Sequence, residues 1–173
     1  MNDMLVAVDE QDRQTGTVEK LAAHREGILH RAFSVFIFNE KGEWLLQQRA
    51  AGKYHSGGLW TNACCGHPSP GEDILSSAQR RLEFEMGISC SLRPAFTFLY
   101  RADVGPGMVE HEFDHVFAGI SGKQPVVNIE EVASWRYTGY PELETELKAN
   151  GGNFTEWFRL IAEKMYHFHN QAG

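Results

Sequence analysis

The sequence predicts an α/β (α+β) sandwich built on a mixed β-sheet, and three features carry that expectation. Phe33–Phe38 (FSVFIF) is a run of aromatic and β-branched residues that stops at the turn cluster Asn39-Glu40-Lys41-Gly42. From Asp73 to Met86, apolar residues recur at helical spacing. Val109–Ile120 is a second, longer strand-like segment. Strands interspersed with a few helices must bury one face of each against the other, which gives a sheet covered by helices.

Taken in order, Glu19–His24 reads as a short helix ahead of the strand that begins near Phe33. Glu43–Gln48 follows the turn at 39–42, so the pair reads as a β-hairpin. Gly52–Gly71 carries several Gly and Pro residues and reads as an irregular loop, the kind of segment that commonly carries function. Ile74, Ala78, Leu82 and Met86 recur at i+4 with Leu75 beside them, and Gly87 supplies a stop. Pro94–Tyr100 and Val109–Ile120 are strands separated by the Gly105-Pro106-Gly107 turn. Pro141–Ala149 forms a short helix, and Asn153–Phe168 a longer one, with Asn153 as N-cap and Glu156 completing a capping box. There is no internal repeat or Ser/Pro-rich linker, so residues 1–173 read as one domain.

Composition narrows the function classes. A chain of 173 residues, 42% hydrophobic and 23% charged, is ordinary globular material. It buries about two-thirds of its unfolded surface and needs no disulfide to fold. Cys64, Cys65 and Cys90 are an odd set with two members adjacent, which suits reduced thiols. No apolar run reaches the ~20 residues that cross a bilayer. The start, MNDMLVAVDE, lacks the basic and apolar stretches of a leader, so a cytoplasmic location without membrane contact is expected. The net charge of −7 disfavours nucleic acid as a partner. A small anionic ligand must instead be met by a local cluster of Lys and Arg. Gly122-Lys123 lacks the spacing and Ser/Thr of a P-loop, no G-x-G-x-x-G follows a strand, and the Asn153-Phe154-Thr155 sequon has no meaning without secretion. Oligomeric state does not follow from the sequence, and a monomer is compatible with it.

Four constellations can carry chemistry. In Glu110-His111-Glu112, strand alternation sends both carboxylates to one face, continued by Asp114, and His111 to the other. Such a face is either solvated or occupied by a cation. In Trp60-Thr61-Asn62-Ala63-Cys64-Cys65-Gly66-His67-Pro68, a cysteine and a histidine stand two apart in a Gly/Pro-bounded loop. That spacing serves a nucleophile and base, a pair of metal ligands or a thiol acid/base, and equally a pair of small buried thiols. His24 and His30 flank Gly27, and with His67, Glu110 and Glu112 they supply a donor set suited to a first-row divalent ion such as Zn²⁺ or Mn²⁺. Lys20, Arg49, Lys53 and Arg81 are cations spread along an acidic chain. Arg81 and Glu85 each fall about 20° from Ile74 and border the apolar helix face, as an i,i+4 pair or as neighbours of an anionic ligand.

Gly66 to Ile88 resembles a Nudix box, G-x₅-E-x₇-R-E-U-x-E-E-x-G-U with U aliphatic. Gly66, Glu72, Arg80, Leu82, Glu85, Gly87 and Ile88 fit, while Arg81 and Phe84 stand where two glutamates are expected. In Nudix hydrolases those glutamates help bind the Mg²⁺ that activates water, so their replacement argues against hydrolysis. The altered box, the 60–68 motif and Glu110-His-Glu112 together resemble the type I isopentenyl-diphosphate isomerase family, over Gly16 to Trp157.

The resemblance implies a Nudix-like α/β/α sandwich and an isomerase of isoprenoid biosynthesis. Such an enzyme interconverts isopentenyl and dimethylallyl diphosphate through a tertiary carbocation. It implies Cys65 and Glu112 as the catalytic pair, with Tyr100 hydrogen-bonding near the glutamate and no role for Cys64. It implies His24, His30, His67, Glu110 and Glu112 as a Mn²⁺/Zn²⁺-type site. Glu85 and the Cys65 main-chain carbonyl are implied as a second site, for Mg²⁺ arriving with the diphosphate. It further implies Lys20, Arg49, Lys53 and Arg81 at the diphosphate, Trp157 over the hydrocarbon, and no flavin. The alternatives are a Nudix-type pyrophosphohydrolase of a nucleoside diphosphate derivative and a catalytically silent, metal-stabilised binding domain.

Overall fold

The computed structural model describes residues 3–171. Met1 and Asn2, where the supposed leaderless start begins, and Ala172 and Gly173, where the expected domain ends, lie outside the described residues. The strands are β1 (Met4–Val8), β2 (Gln14–Glu19), β3 (His30–Phe38), β4 (Trp44–Arg49), β5 (Trp60–Thr61), β6 (Cys64–Gly66), β7 (Leu92–Gly105), β8 (Met108–Ile120) and β9 (Val132–Thr138). The helices are α1 (Lys20–Glu26), α2 (Ile74–Met86), α3 (Tyr140–Asn150) and α4 (Glu156–Gln171).

β3 organises a mixed sheet. It runs parallel to β8 from His30↔Glu112 to Phe38↔Ile120 without a register shift. On the antiparallel side, Phe33–Val35 pair with β6 and His30 pairs with Ala7 of β1. Alternation then divides the layers. Phe33, Val35 and Ile37 pack with Ala78, Leu82 and Met86 of α2. Phe36 and Phe38 pack with Leu143 of α3 and with Trp157, Phe158, Ile161 and Met165 of α4. The result is the expected α/β/α sandwich. Leu82 is almost fully buried, and truncation to Ala costs about 2–5 kcal/mol.

The helix in the box has the expected bounds for local reasons. Asp73 Oδ2 accepts from Ser76 N at 2.9 Å, capping the start. Gly87 ends it at φ 65°, and a Cβ there would lie 2.6 Å from the Val126 carbonyl oxygen. Both constraints select glycine.

Three expectations need correction. The 33–48 hairpin closes through a single pair, Phe38↔Trp44. β4 turns away to pair with β9 and β5, and β6 takes the vacated edge of β3. The 52–71 loop is therefore not wholly irregular, since it contains β5 and β6. The last helix begins at Glu156 rather than beside Asn153, which closes a short 3₁₀ turn instead. Phe154 is extended (φ −117°, ψ 152°) and bridges Trp60, so the chain cannot turn helical until Thr155. Thr155 O accepts from Arg159 N at 3.1 Å as the first helical bond.

Candidate active site

A cavity of about 530 Å³ opens between β8, β6, the 49–57 loop, one face of α2 and the N-terminus of α4. Its floor is the inner face of β8. Glu110 and Glu112 are buried, whereas His111 points away and its Nδ1 bonds Gly27 O at 2.8 Å. The carboxylate face is therefore not a solvated edge: β3 and β7 flank it on both sides.

Three imidazoles converge on it. His24 Nδ1 donates to Lys20 O at 2.6 Å, and His30 Nδ1 donates to Ile28 O at 2.8 Å. A carbonyl only accepts, so in each neutral ring the lone pair lies on Nε2. His24 Nε2 lies 3.1 Å from Glu110 Oε2, and His30 Nε2 lies 3.2 Å from His67 Nε2. His67 Nε2 is 2.8 Å from Glu112 Oε1. One donor atom from each of His24, His30, His67 and Glu110 lies within 4.8 Å of the others. Glu110 Oε2 is buried without a hydrogen-bond partner among the described residues. The Tyr54 hydroxyl lies 3.1 Å from His24 Nε2, but it leaves the anionic Glu110 oxygen beside the imidazole lone pairs without compensation, and this donor set fits a divalent ion. Burial opposes charge on these groups, but the imidazoles overcome it at Glu110 and hold its carboxyl well below the usual range. Glu112 is also lowered, against burial and the Glu110 charge, by His30 and His67. Burial lowers His67, whereas at His24 the Glu110 carboxylate outweighs burial and raises the pKa.

The thiol has its own cradle. Cys64 and Cys65 alternate on β6, so Cys64 is fully buried in the α2 core and Cys65 faces the cavity. Asn62 Nδ2 donates to the carbonyls of Val35 (3.0 Å) and Cys64 (2.8 Å), which turns Oδ1 toward Cys65 Sγ at 3.3 Å. Ser34 Oγ lies 3.5 Å from Sγ and donates to buried Asp114 at 2.7 Å. Burial and the Asp114 charge push the Cys65 thiol up to about 12, so it stays protonated near neutrality. Tyr100 OH donates to Glu112 Oε2 at 2.6 Å, and burial keeps that phenol far above its ordinary range.

The four cations line the same cavity. Arg49 lies 5.3 Å over the Trp157 ring, and its buried Nε has no partner among the described residues. Arg81 Nη2 pairs with Glu131 at 2.7 Å, Lys53 pairs with the same carboxylate, and Arg81 Nε donates to Glu85 at 2.6 Å. Glu85, buried, also accepts from Gln47 at 2.7 Å. Lys20 stands 5.0 Å over the Tyr54 ring. Burial draws Lys53 down to about 8, with Arg81, Arg49 and Lys20 adding to the shift against the attraction of Glu85.

All the sequence-derived candidates thus border one cavity or its lining. Sequence reasoning missed His55, whose Nε2 lies 2.7 Å from Glu110 Oε1, as well as Tyr54, Asn62, Ser34 and Glu131. His55 stands two residues from Lys53 in a Gly-rich stretch, the one local hint available. Glu131 carries none.

Residues 28–158 match the NUDIX domain family. The fold is shared with the MutT protein from Methanosarcina mazei (TM-score 0.66, 20% identity, 83% of this chain and 95% of that one) and with DR0079 from Deinococcus radiodurans (TM-score 0.71, 19% identity, 85% and 90%). A protein of Pectobacterium atrosepticum named isopentenyl-diphosphate Delta-isomerase is 49% identical, over 90% of this chain and 87% of its own length. Isopentenyl-diphosphate Delta-isomerase 2 of Aromatoleum aromaticum is 44% identical, over 95% and 87%. The chain belongs to the Nudix family and, within it, to the isopentenyl-diphosphate Delta-isomerases.

Proposed function

We propose that the chain, acting as a single domain in the cytoplasm, interconverts isopentenyl and dimethylallyl diphosphate, with Cys65 and Glu112 as the proton-carrying pair. The observation that carries this reading is the half-buried Cys65 thiol and the Tyr100-bonded Glu112 carboxyl lining one cavity with Trp157. Moving the double bond adds a proton at C4, leaves a tertiary cation at C3 and removes a proton from C2. One group must give a proton and the other take one, and the reverse reaction exchanges the roles. Tyr100 holds the Glu112 carboxyl in one orientation, and Asn62 does the same for the thiol.

The cation at C3 needs a face that attracts but does not bond it. The indole of Trp157 supplies about 0.5–2 kcal/mol of such attraction. Excluding water from the hydrocarbon matters equally, since water would trap the cation as an alcohol. Lys20, Arg49, Lys53 and Arg81 hold the diphosphate, which turns the anion into a handle that fixes the hydrocarbon between acid and base.

His24, His30, His67, Glu110 and Glu112 would hold a Mn²⁺ or Zn²⁺ ion, and Glu85 with the Cys65 carbonyl a Mg²⁺ ion brought by the diphosphate. Such ions draw charge from Glu112, making a proton carried there more acidic, and neutralise the anion. The reading invokes no flavin and no second copy of the chain.

Incubation of the diphosphate with purified protein and Mg²⁺ in heavy water tests the reading. Deuterium is expected in the carbon skeleton of the allylic product, with the phosphoanhydride intact and the reaction abolished by a chelator. Release of phosphate without carbon labelling would identify a hydrolase and overturn the assignment.

A further inference from the structure

His55 is tied to the metal-type cluster but is built differently from its members. In His24 and His30, Nδ1 gives its hydrogen to a main-chain carbonyl and Nε2 carries the lone pair, which at His24 also faces the Tyr54 hydroxyl at 3.1 Å. That is how a protein prepares a metal ligand. In His55, Nδ1 faces the Ser56 hydroxyl at 3.1 Å, a group that can donate to it. Its Nε2 meets Glu110 Oε1 at 2.7 Å, and an ionised carboxylate only accepts. His67 Nε2 also meets a carboxylate, but its Nδ1 has no partner among the described residues; in His55 the Ser56 hydroxyl can fill the Nδ1 lone pair, which places the hydrogen on Nε2, where a ligand would need its lone pair. Consistently, the group whose donor atoms lie within 4.8 Å of one another comprises His24, His30, His67 and Glu110, without His55.

The two oxygens of Glu110 are thereby distinguished. Oε1 is taken by His55, and Oε2 is the buried oxygen, without a partner among the described residues, turned toward the imidazoles. The other side of His55 reaches the hydrocarbon wall. Its ring meets Trp157 edge-on at 5.9 Å, and its carbonyl accepts from Arg49 Nη2 at 3.1 Å. That guanidinium in turn covers the Trp157 ring.

We propose that His55 is a positioning residue: its Nε2–H fixes Glu110 as a one-oxygen metal ligand and ties that carboxylate to the Trp157 wall. The inference rests on reading the His/Glu cluster as a metal site. Orienting partners of this kind are worth 10- to 100-fold in metal affinity.

The test is competition of the full chain with a chromophoric chelator for Mn²⁺ and Zn²⁺, with circular dichroism to confirm folding. His55→Ala and His55→Phe are expected to bind metal 10- to 100-fold more weakly; the phenyl ring keeps a contact with Trp157 but donates nothing. His55→Gln, which offers an N–H to Glu110, is expected to recover affinity to within a few-fold. Wild-type affinity in folded His55→Ala and His55→Phe would overturn the proposal. So would His55→Gln as weak as His55→Ala, which marks a direct ligand. The parent reading has its own control in His67→Ala: if the wild type binds neither ion, or His67→Ala binds as well as wild type, the metal site itself is refuted and this inference falls with it.

Discussion

Two groups of charged side chains line the same cavity, and they differ in what holds them. His24 on α1 and His30 on β3 are locked by main-chain carbonyls and, with Glu110 and Glu112 of β8, are buried, while His67 follows β6 and is partly buried. The cations are longer and partly exposed, and two of them are held by carboxylates: Glu131 takes Lys53 and Arg81, and Glu85 takes Arg81 again, while Lys20 and Arg49 lie over the Tyr54 and Trp157 rings. One half is preorganised by its donor set and fixed ring orientations. The other is provisionally neutralised and must exchange its carboxylate partners for an incoming diphosphate. Rigid placement suits the half where proton transfer occurs, because a small misplacement there costs rate. Exchangeable pairing suits the half that only grips and releases.

The sharpest way to break this contrast is to substitute in the rigid half. Cys65→Ala or Glu112→Gln is expected to lower turnover by about 10²–10⁴-fold while leaving diphosphate affinity within a few-fold. A steady-state split of kcat from KM measures it, and loss mainly in KM would show that these residues grip rather than react.

The soft half should respond to pH instead. Lys53 faces Glu85, Glu131, Arg81, Arg49 and Lys20, and is charged below about 8 in the free protein. A bound anion favours its protonated form, so apparent affinity is expected to fall as pH rises through about 8, by at most tenfold per unit. Lys53→Arg keeps its charge and is expected to flatten that decline in a binding titration. A decline unchanged in Lys53→Arg assigns it to another group.

The smallest effect probes the provisional pairing itself. Glu131→Gln removes the carboxylate that competes with the diphosphate for Lys53 and Arg81. An ion pair of this exposure is worth up to about 1 kcal/mol, so inorganic diphosphate is expected to bind roughly fivefold more tightly by calorimetry. Weaker binding would mean that Glu131 assists the anion.

Much of the rigid half was legible because alternation and spacing are local. The shared face of Glu110 and Glu112 follows from strand parity alone. Their burial does not, since it depends on β3 and β7, which pair with β8 from distant parts of the chain. The separate fates of Cys64 and Cys65 were hidden because β6 is three residues long and lies in a stretch that looks like loop. The α2 bounds were readable from Asp73 and Gly87. The start of α4 was not, because a bridge from Phe154 to Trp60 overrides the local capping pattern. His55 and Glu131 could not be found at all: what they touch is set by packing between segments about 55 and 50 residues or more apart in the chain.

The unshifted register between β3 and β8 has an evolutionary corollary. Each odd-length insertion or deletion within Glu110–Asp114 would invert which side chains face the cavity, presenting His111, Phe113 and His115 in place of three acids. Drift in this stretch must therefore proceed by exchange of residues and not by change of length, and a descendant carrying such a frame slip would keep its sheet while surrendering its chemistry in one step.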